Sequence, residues 1–217
     1  MIKVEEVDVW GFEHALRGMR NPMNSWEKSD SIKCYTNVDC QHLCENEPCG
    51  WCIGENDLSL MKKLYKAGTE HRKYLRQIFV SMDIIAPLYW WKEMSTYKVG
   101  TVSNSCSTMH KIAEKKFELD DFSHEHLLYT GDGDNPIDFI IHWLNYYRKR
   151  YLESNDKSYW WQMIQLLPSS YNQRRTITMT YENVVSIIKQ RENHKLDEWK
   201  EFVEILKNLP YIKEITE

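Results

Sequence analysis

The chain has 217 residues, 42% of them hydrophobic and 28% charged, with a formal net charge of -4. That is enough apolar material for one core, so a single domain over residues 1–217 is expected, with residues 31–56 as a cysteine-rich insertion within it. No apolar run reaches the length of a membrane span, and the mildly acidic balance offers no general attraction to nucleic acid or acidic lipid.

The opening residues MIKVEEVDVW place acids where an export signal needs a positive region and an apolar core, so a cytoplasmic protein is expected. Ile2, Val4, Val7 and Val9 alternate loosely with charged residues, which is the period of a strand, and a short helix follows around Phe12 to Gly18. Arg17, Arg20 and Lys28 lie in polar surroundings and receive no role. Five of the six cysteines fall between Cys34 and Cys52. Cys40, Cys44, Cys49 and Cys52 with His42 have the donor chemistry of a zinc site, but the spacing fits no zinc module and a second Cys-x-x-Cys is missing. In a cytosolic chain the expectation is reduced loop cysteines and no metal.

Residues 57–68, DLSLMKKLYKAG, read as a helix with Asp57 as N-cap, Leu58, Met61, Leu64 and Tyr65 on one face and Gly68 as the stop. The turn after it carries His71, Lys73 and Arg76. In residues 77–85, Ile78, Val80, Met82 and Ile84 alternate with Phe79, Ser81, Asp83 and Ile85, a strand with one buried face. Pro87 suits the first turn of a helix to which Leu88, Tyr89, Trp90 and Trp91 give bulk. From Lys92 the chain becomes polar, running through Glu93, Tyr97, Lys98, Thr101 and Asn104 to Ser105, Cys106 and Ser107, with Gly100 as the turn. Short donors beside two lysines are equipped to hold an anionic, polar ligand, although a solvated loop has the same composition.

Farther on, Asp120 and Ser123 could each start a short helix, and residues 130–136 read as a loop. His124 and His126 are two apart and would face differently on a helix, which argues against a metal pair. Residues 137–153 form a long helix with Phe139, Ile140, Trp143, Leu144 and Tyr147 inward, and its terminal Arg148, Lys149 and Arg150 complement the macrodipole. Residues 159–167 are a second, short helix ending at Pro168. Residues 195–209 close the chain with a stripe of Leu196, Trp199, Phe202, Val203 and Leu206.

In this order the chain resembles the flavin-dependent thymidylate synthases. Their signature is an Ala-Pro-started helix carrying Arg-Gln, then Arg-His-Arg-x-x-Ser-x-Asn-Glu-x-Ser-x-Arg-Tyr. Laid on without gaps from Ala86-Pro87, Lys92-Glu93 falls at Arg-Gln, Thr96-Tyr97-Lys98 at Arg-His-Arg, Thr101 at Ser and Ser103-Asn104 at Asn-Glu. The final Ser-x-Arg-Tyr meets Cys106 to Met109, or Ser107 to His110 with one residue inserted. Lys98 keeps a charge, Thr101 a hydroxyl and Asn104 an amide, whereas the other arginines and the glutamate are replaced. Downstream, the family's spacing from Leu167-Pro168 runs ungapped to Arg191; in that register its Asn-Ala-Arg meets Thr180-Tyr181-Glu182, with Asn183 standing for the asparagine if the chain slips, and His194 lies near its His-Ala-Gln-x-Glu.

The resemblance implies an α+β fold, a small sheet packed with long helices, and transfer of a one-carbon unit to C5 of a deoxyuridylate-type pyrimidine deoxynucleotide. FAD would carry the hydride, methylene-tetrahydrofolate and NADPH would be co-substrates, and sites would form between subunits of a homotetramer. His71, Lys73 and Arg76 would bind the cofactor, as would Tyr97, Lys98, Thr101 and Asn104 in the polar loop and Asn183 and His194 downstream. Lys92, Glu93, Ser105, Cys106, Ser107 and Arg174 would bind substrate, with Lys98 and Arg175 as further cations for its phosphate. Arg191 falls on the arginine that holds the uracil ring. Its chemistry follows from first principles: a permanently charged, planar donor beside N3 and O4 stabilises the electron-rich ring that C5 alkylation needs. No cysteine nucleophile is implied, and Cys106 lacks the fixed base that would make it one. Three alternatives stand beside this reading. One is a pyrimidine-nucleotide-binding paralogue with a weakened flavin site, and one is an interaction protein working through its cysteine segment. The third concerns Arg191 alone, as a helix-end arginine paired with Glu192 or Glu198.

Overall fold

A computed structural model describes residues 2–33, 50–128 and 135–217. The alternation expected for the strand before the Ala-Pro pair is present in β4 (Phe79–Pro87), where Val80, Met82, Ile84 and Ala86 are all buried. It belongs to a four-stranded sheet with β1 (Lys3–Trp10), β5 (Val102–Ser105) and β6 (Asn172–Thr180), in the order β1-β4-β6-β5. β4 and β6 run antiparallel: the Ser81 and Thr178 hydroxyls meet at 3.0 Å, and the Thr176 hydroxyl donates to Asp83 at 2.6 Å. In β1, Glu6 sits at φ 50, which re-phases the strand, and Val7 is 45% exposed rather than in the core. β5 was expected as loop. All four of its residues are exposed, so no alternation marks it as an edge strand.

Two compact units share the residues of this sheet. The first contains Met1–Glu5, Asp83–Lys98 and Ser103–Ile177. Its helices are α3 (Leu88–Met94), α4 (Thr108–Lys111), α5 (Pro136–Ser154) and α6 (Lys157–Leu166). Pro87 is the N-cap residue of α3 rather than part of its first turn, and the Leu88 and Tyr89 N–H groups donate to Tyr171 and Ser169 carbonyls, each at 3.0 Å. Asn135 caps α5 ahead of Pro136, and Asp156 caps α6. The helices close over a core of Ile112, Phe117, Phe122, Ile137, Leu144 and Met163. Phe139, expected inward, is 69% exposed. Helix α5 has two apolar stripes, and the aliphatic one through Ile137, Ile140, Ile141 and Leu144 faces the core, which turns Phe139 outward. Residues 119–121 form a 3-10 turn capped by Glu118, and no helix starts at Ser123.

The second unit contains Glu6–Met82, Val99–Val102 and Thr178–Glu217. It holds α1 (Phe12–Arg20), α2 (Glu55–Lys66), α7 (Tyr181–Arg191), α8 (Asp197–Lys207), α9 (Ile212–Thr216) and a two-stranded ribbon of β2 (Ile32–Lys33) and β3 (Trp51–Cys52). Gly11 enters α1 at φ 98, and a Cβ there would lie 2.1 Å from the Gln77 carbonyl oxygen, so glycine is required. The α2 N-cap is Gly54, not Asp57. Asp30 takes the capping role from a distance, accepting from the Asn56 N–H at 2.9 Å and the Asp57 N–H at 3.1 Å. The Asp57 side chain instead turns inward and accepts from Arg20, Ser29 and Ser31. Gly68 follows the helix at φ 106, as a C-terminal stop should. Trp199, Phe202, Val203 and Leu206 of α8 are buried as their spacing requires. Tyr211 ties the ribbon down: its hydroxyl donates to the Trp51 carbonyl at 3.0 Å and accepts from the Ile53 N–H at 3.1 Å.

Among the described residues no helix is long and apolar enough to cross a membrane. Of the cysteine segment, Cys52 is buried on β3, whereas Cys40, His42, Cys44 and Cys49 lie outside the described residues.

Candidate functional site

In the first unit the polar stretch after α3 leads into a pocket of about 230 Å³ beside the start of β6. Its wall is fixed through Gln173. The Gln173 amide donates to the Cys106 carbonyl at 2.9 Å and the Thr108 hydroxyl at 3.1 Å, and the Cys106 N–H donates to the Arg174 carbonyl at 2.9 Å. Behind it, the Arg175 Nε donates to the Gln173 Oε1 at 3.0 Å while its guanidinium lies 4.5 Å from the centre of the Trp91 ring. Burial pushes the Arg175 pKa down, although a guanidinium this basic stays charged. Trp91, Arg175, Gln173 and the 106–108 loop therefore form one connected support; Arg175, expected as a cation for phosphate, is engaged by Gln173 and Trp91, and the support itself was not read from the sequence. The available signal was the alternation of Gln173, Arg175 and Ile177 along β6.

Three expected site residues, Cys106, Ser107 and Arg174, line this pocket. Cys106 is exposed, and Ser107 caps α4 by accepting from the His110 N–H at 3.3 Å. Arg174 already has partners: it donates to Glu5 at 2.6 Å and to Asp83 at 3.0 Å, linking three neighbouring strands. Hydrogen bonding from Lys3, aided by Arg174, holds the Glu5 carboxyl below its ordinary range despite some desolvation. Lys111 and Lys115 also line the pocket, and neither was singled out from the sequence. Elsewhere in this unit, Lys92 and Lys98 are exposed and without a hydrogen bond or ion pair among the described residues. Asn104 and Ser105 are exposed on β5, Glu93 is half-buried and Tyr97 is buried.

In the second unit, Asn183 and the Gly100 turn are brought together. The Asn183 amide donates to the Val99 carbonyl at 2.8 Å, and its Oδ1 accepts from the Thr180 hydroxyl at 2.7 Å within the α7 capping box. Its polar atoms thus serve the backbone. Next to that turn, the Thr101 hydroxyl is sealed from solvent without a hydrogen-bond partner among the described residues. Arg191 and His194 are brought together around Trp199. The Arg191 guanidinium stands 4.7 Å from the ring centre, and the His194 ring meets it edge-on at 6.1 Å. Glu192, an expected partner for Arg191, receives Lys207 at 2.7 Å. His71, Lys73 and Arg76 are exposed on and around the 3-10 turn Lys73–Arg76, and Lys73 and Arg76 have no ion pair among the described residues. Their neighbour Arg72 is the anchored one, pairing with Glu182 at 2.8 Å and lying over the Tyr65 ring.

The α+β arrangement of a small sheet with these helices is the fold of the flavin-dependent thymidylate synthases. The chain superposes on thymidylate synthase X from Helicobacter pylori in two crystal structures, both with FAD and dUMP. In one the TM-score is 0.66 at 14% identity, covering 100% of this chain and 98% of the other. In the second the TM-score is 0.66 at 16% identity, covering 99% and 98%. No family model and no curated protein matches the sequence.

Proposed function

We propose that the protein is a divergent flavin-dependent thymidylate synthase, transferring a one-carbon unit to C5 of a deoxyuridylate-type nucleotide in the cytoplasm. The observation that carries this reading is end-to-end likeness, over 100% of the chain, to a thymidylate synthase X solved with FAD and dUMP. Arg191 supports it chemically. Its guanidinium, 4.7 Å from the centre of the Trp199 ring, is a permanently charged planar donor, the kind of group that stabilises an electron-rich uracil ring. For FAD, the donor set of the second unit fits a polyanionic cofactor. Lys73 and Arg76 are unpaired cations among the described residues, and Thr101 has an unused hydroxyl. When bound, the flavin supplies the hydride. Methylene-tetrahydrofolate would furnish the carbon, NADPH the reducing equivalents, and a homotetramer the complete sites.

A second reading is favoured by Asn183, an expected cofactor-binding residue whose polar atoms are engaged within the protein. It is a pyrimidine-nucleotide-binding protein of the same fold with a weakened flavin site. The test is an absorbance spectrum after adding FAD and desalting, followed by release of tritium from 5-tritiated dUMP with methylene-tetrahydrofolate and NADPH. Retained flavin bands and tritium release support the enzyme. A colourless protein that binds dUMP without releasing tritium selects the second reading.

A further inference from the structure

We infer that Lys111 and Lys115 hold the phosphate of a nucleoside monophosphate in the pocket beside Cys106, an assignment that rests on the nucleotide reading above. The Thr108 hydroxyl is taken up by the Gln173 amide, so the charge in this pocket comes from elsewhere on its wall. Lys111, Lys115 and Arg174 line the pocket, and among the described residues Asp121 is the one carboxylate lining it. Arg174 is engaged by Glu5 and Asp83, which leaves the two lysines as the movable cations.

Their present partners hold them lightly. Lys111 pairs with Glu114 and Lys115 with Asp121, and the lysine side chains are 57% and 69% exposed. Exposed ion pairs contribute little, whereas a lysine on a phosphate dianion makes a charge-assisted bond. Departure of Lys115 does not strand Asp121, whose other oxygen still accepts the Glu118 N–H at 3.0 Å. Ser107 adds a third donor: its oxygen accepts from the His110 N–H, so the hydroxyl hydrogen is free to point at an anion. Two ammonium groups and a hydroxyl from one wall suit a terminal phosphate better than a singly charged carboxylate.

The test compares the wild type with Lys111→Gln/Lys115→Gln, at exposed positions where folding is not at stake, by calorimetric titration with dUMP and with deoxyuridine, which lacks the phosphate. In parallel, inorganic phosphate is tested for protection of Cys106 against iodoacetamide, read on the Cys106 peptide by mass spectrometry. A Lys63→Gln/Lys149→Gln variant removes the same charge elsewhere. The wild type is expected to prefer dUMP, and the double variant to lose roughly ten-fold per lysine for dUMP but nothing for deoxyuridine. Phosphate should slow Cys106 alkylation in the wild type and the control but not in the double variant. An unchanged preference for dUMP in the double variant overturns the assignment and leaves the nucleotide reading standing. Failure of the wild type to bind dUMP sinks the nucleotide reading, and with it the nucleotide assignment, even if phosphate still protects Cys106.

Discussion

The Arg20 guanidinium donates to the Asp57 carboxylate at 2.6 Å in the interior of the second unit, with Arg20 4% and Asp57 0% exposed. Ser29 and Ser31 hydroxyls complete the carboxylate's shell at 2.7 and 2.6 Å. A buried pair is costly to break on one side only, because the remaining charge has neither water nor partner. Arg20→Ala or Asp57→Ala should each lower the unfolding free energy by about 3–5 kcal/mol, measured by urea denaturation. A loss below about 1 kcal/mol would mean that water reaches the pair.

The same carboxyl makes stability depend on acid. Burial by itself raises the Asp57 pKa, but hydrogen bonds from Ser31, Ser29 and Arg20, with the Arg20 charge, outweigh it and hold the pKa below its ordinary value. A group depressed in the folded state contributes stability that is fully present above the unfolded pKa, near 3.9, and lost as pH falls through the folded one. Thermal midpoints of the wild type should therefore fall more steeply below about pH 4 than those of Asp57→Asn, which has no proton to gain. Parallel curves for the two proteins would contradict this.

Asn183 joins the α7 capping box to the Gly100 turn through the Val99 carbonyl. Asn183→Ala should cost about 0.5–1.5 kcal/mol, the range for losing one half of a capping box and the hydrogen bond to the exposed Val99 carbonyl. Faster amide hydrogen exchange at Gly100 and Thr101 would locate the loosening in that turn. Unchanged exchange there would show that the turn holds itself.

Stability and chemistry separate at Arg191. Removing a guanidinium stacked on Trp199 should cost about 0.5–1 kcal/mol in Arg191→Ala, visible as a small shift in thermal midpoint. Under the proposed function the same change should lower tritium release from dUMP by about 10² or more, since it removes charge stabilisation at the ring. A variant that keeps full turnover would return Arg191 to the role of helix-end packing.

Patterns carried within one element were the legible part of the fold. The alternation of Val80, Met82 and Ile84 and the stripe of Trp199, Phe202, Val203 and Leu206 are local, and both lie buried as expected. What depended on distant chain was hidden. Asp57 reads as an N-cap because the residue that does the capping, Asp30, lies well upstream, and Arg20 reads as idle for the same reason. Phe139 was assigned to the wrong stripe because α5 is apolar on more than one side, and only packing selects the buried one. At the candidate site, the polar stretch 92–107 was visible as unusual. The support from Trp91, Arg175 and Gln173 was not, because a sequence does not say which strand lies beneath a loop.

The β2–β3 ribbon has a consequence for how this protein can vary. Ile32 stands opposite Cys52 and Lys33 opposite Trp51, so the intervening chain leaves and returns at one doorway. The frame of that doorway has no slack at Gly54: a Cβ there would lie 2.2 Å from the Asp30 carboxyl carbon, and the same carboxylate accepts the Asn56 and Asp57 N–H groups at the start of α2. Position 54 therefore admits glycine alone, because any side chain would push Asp30 off the helix it caps.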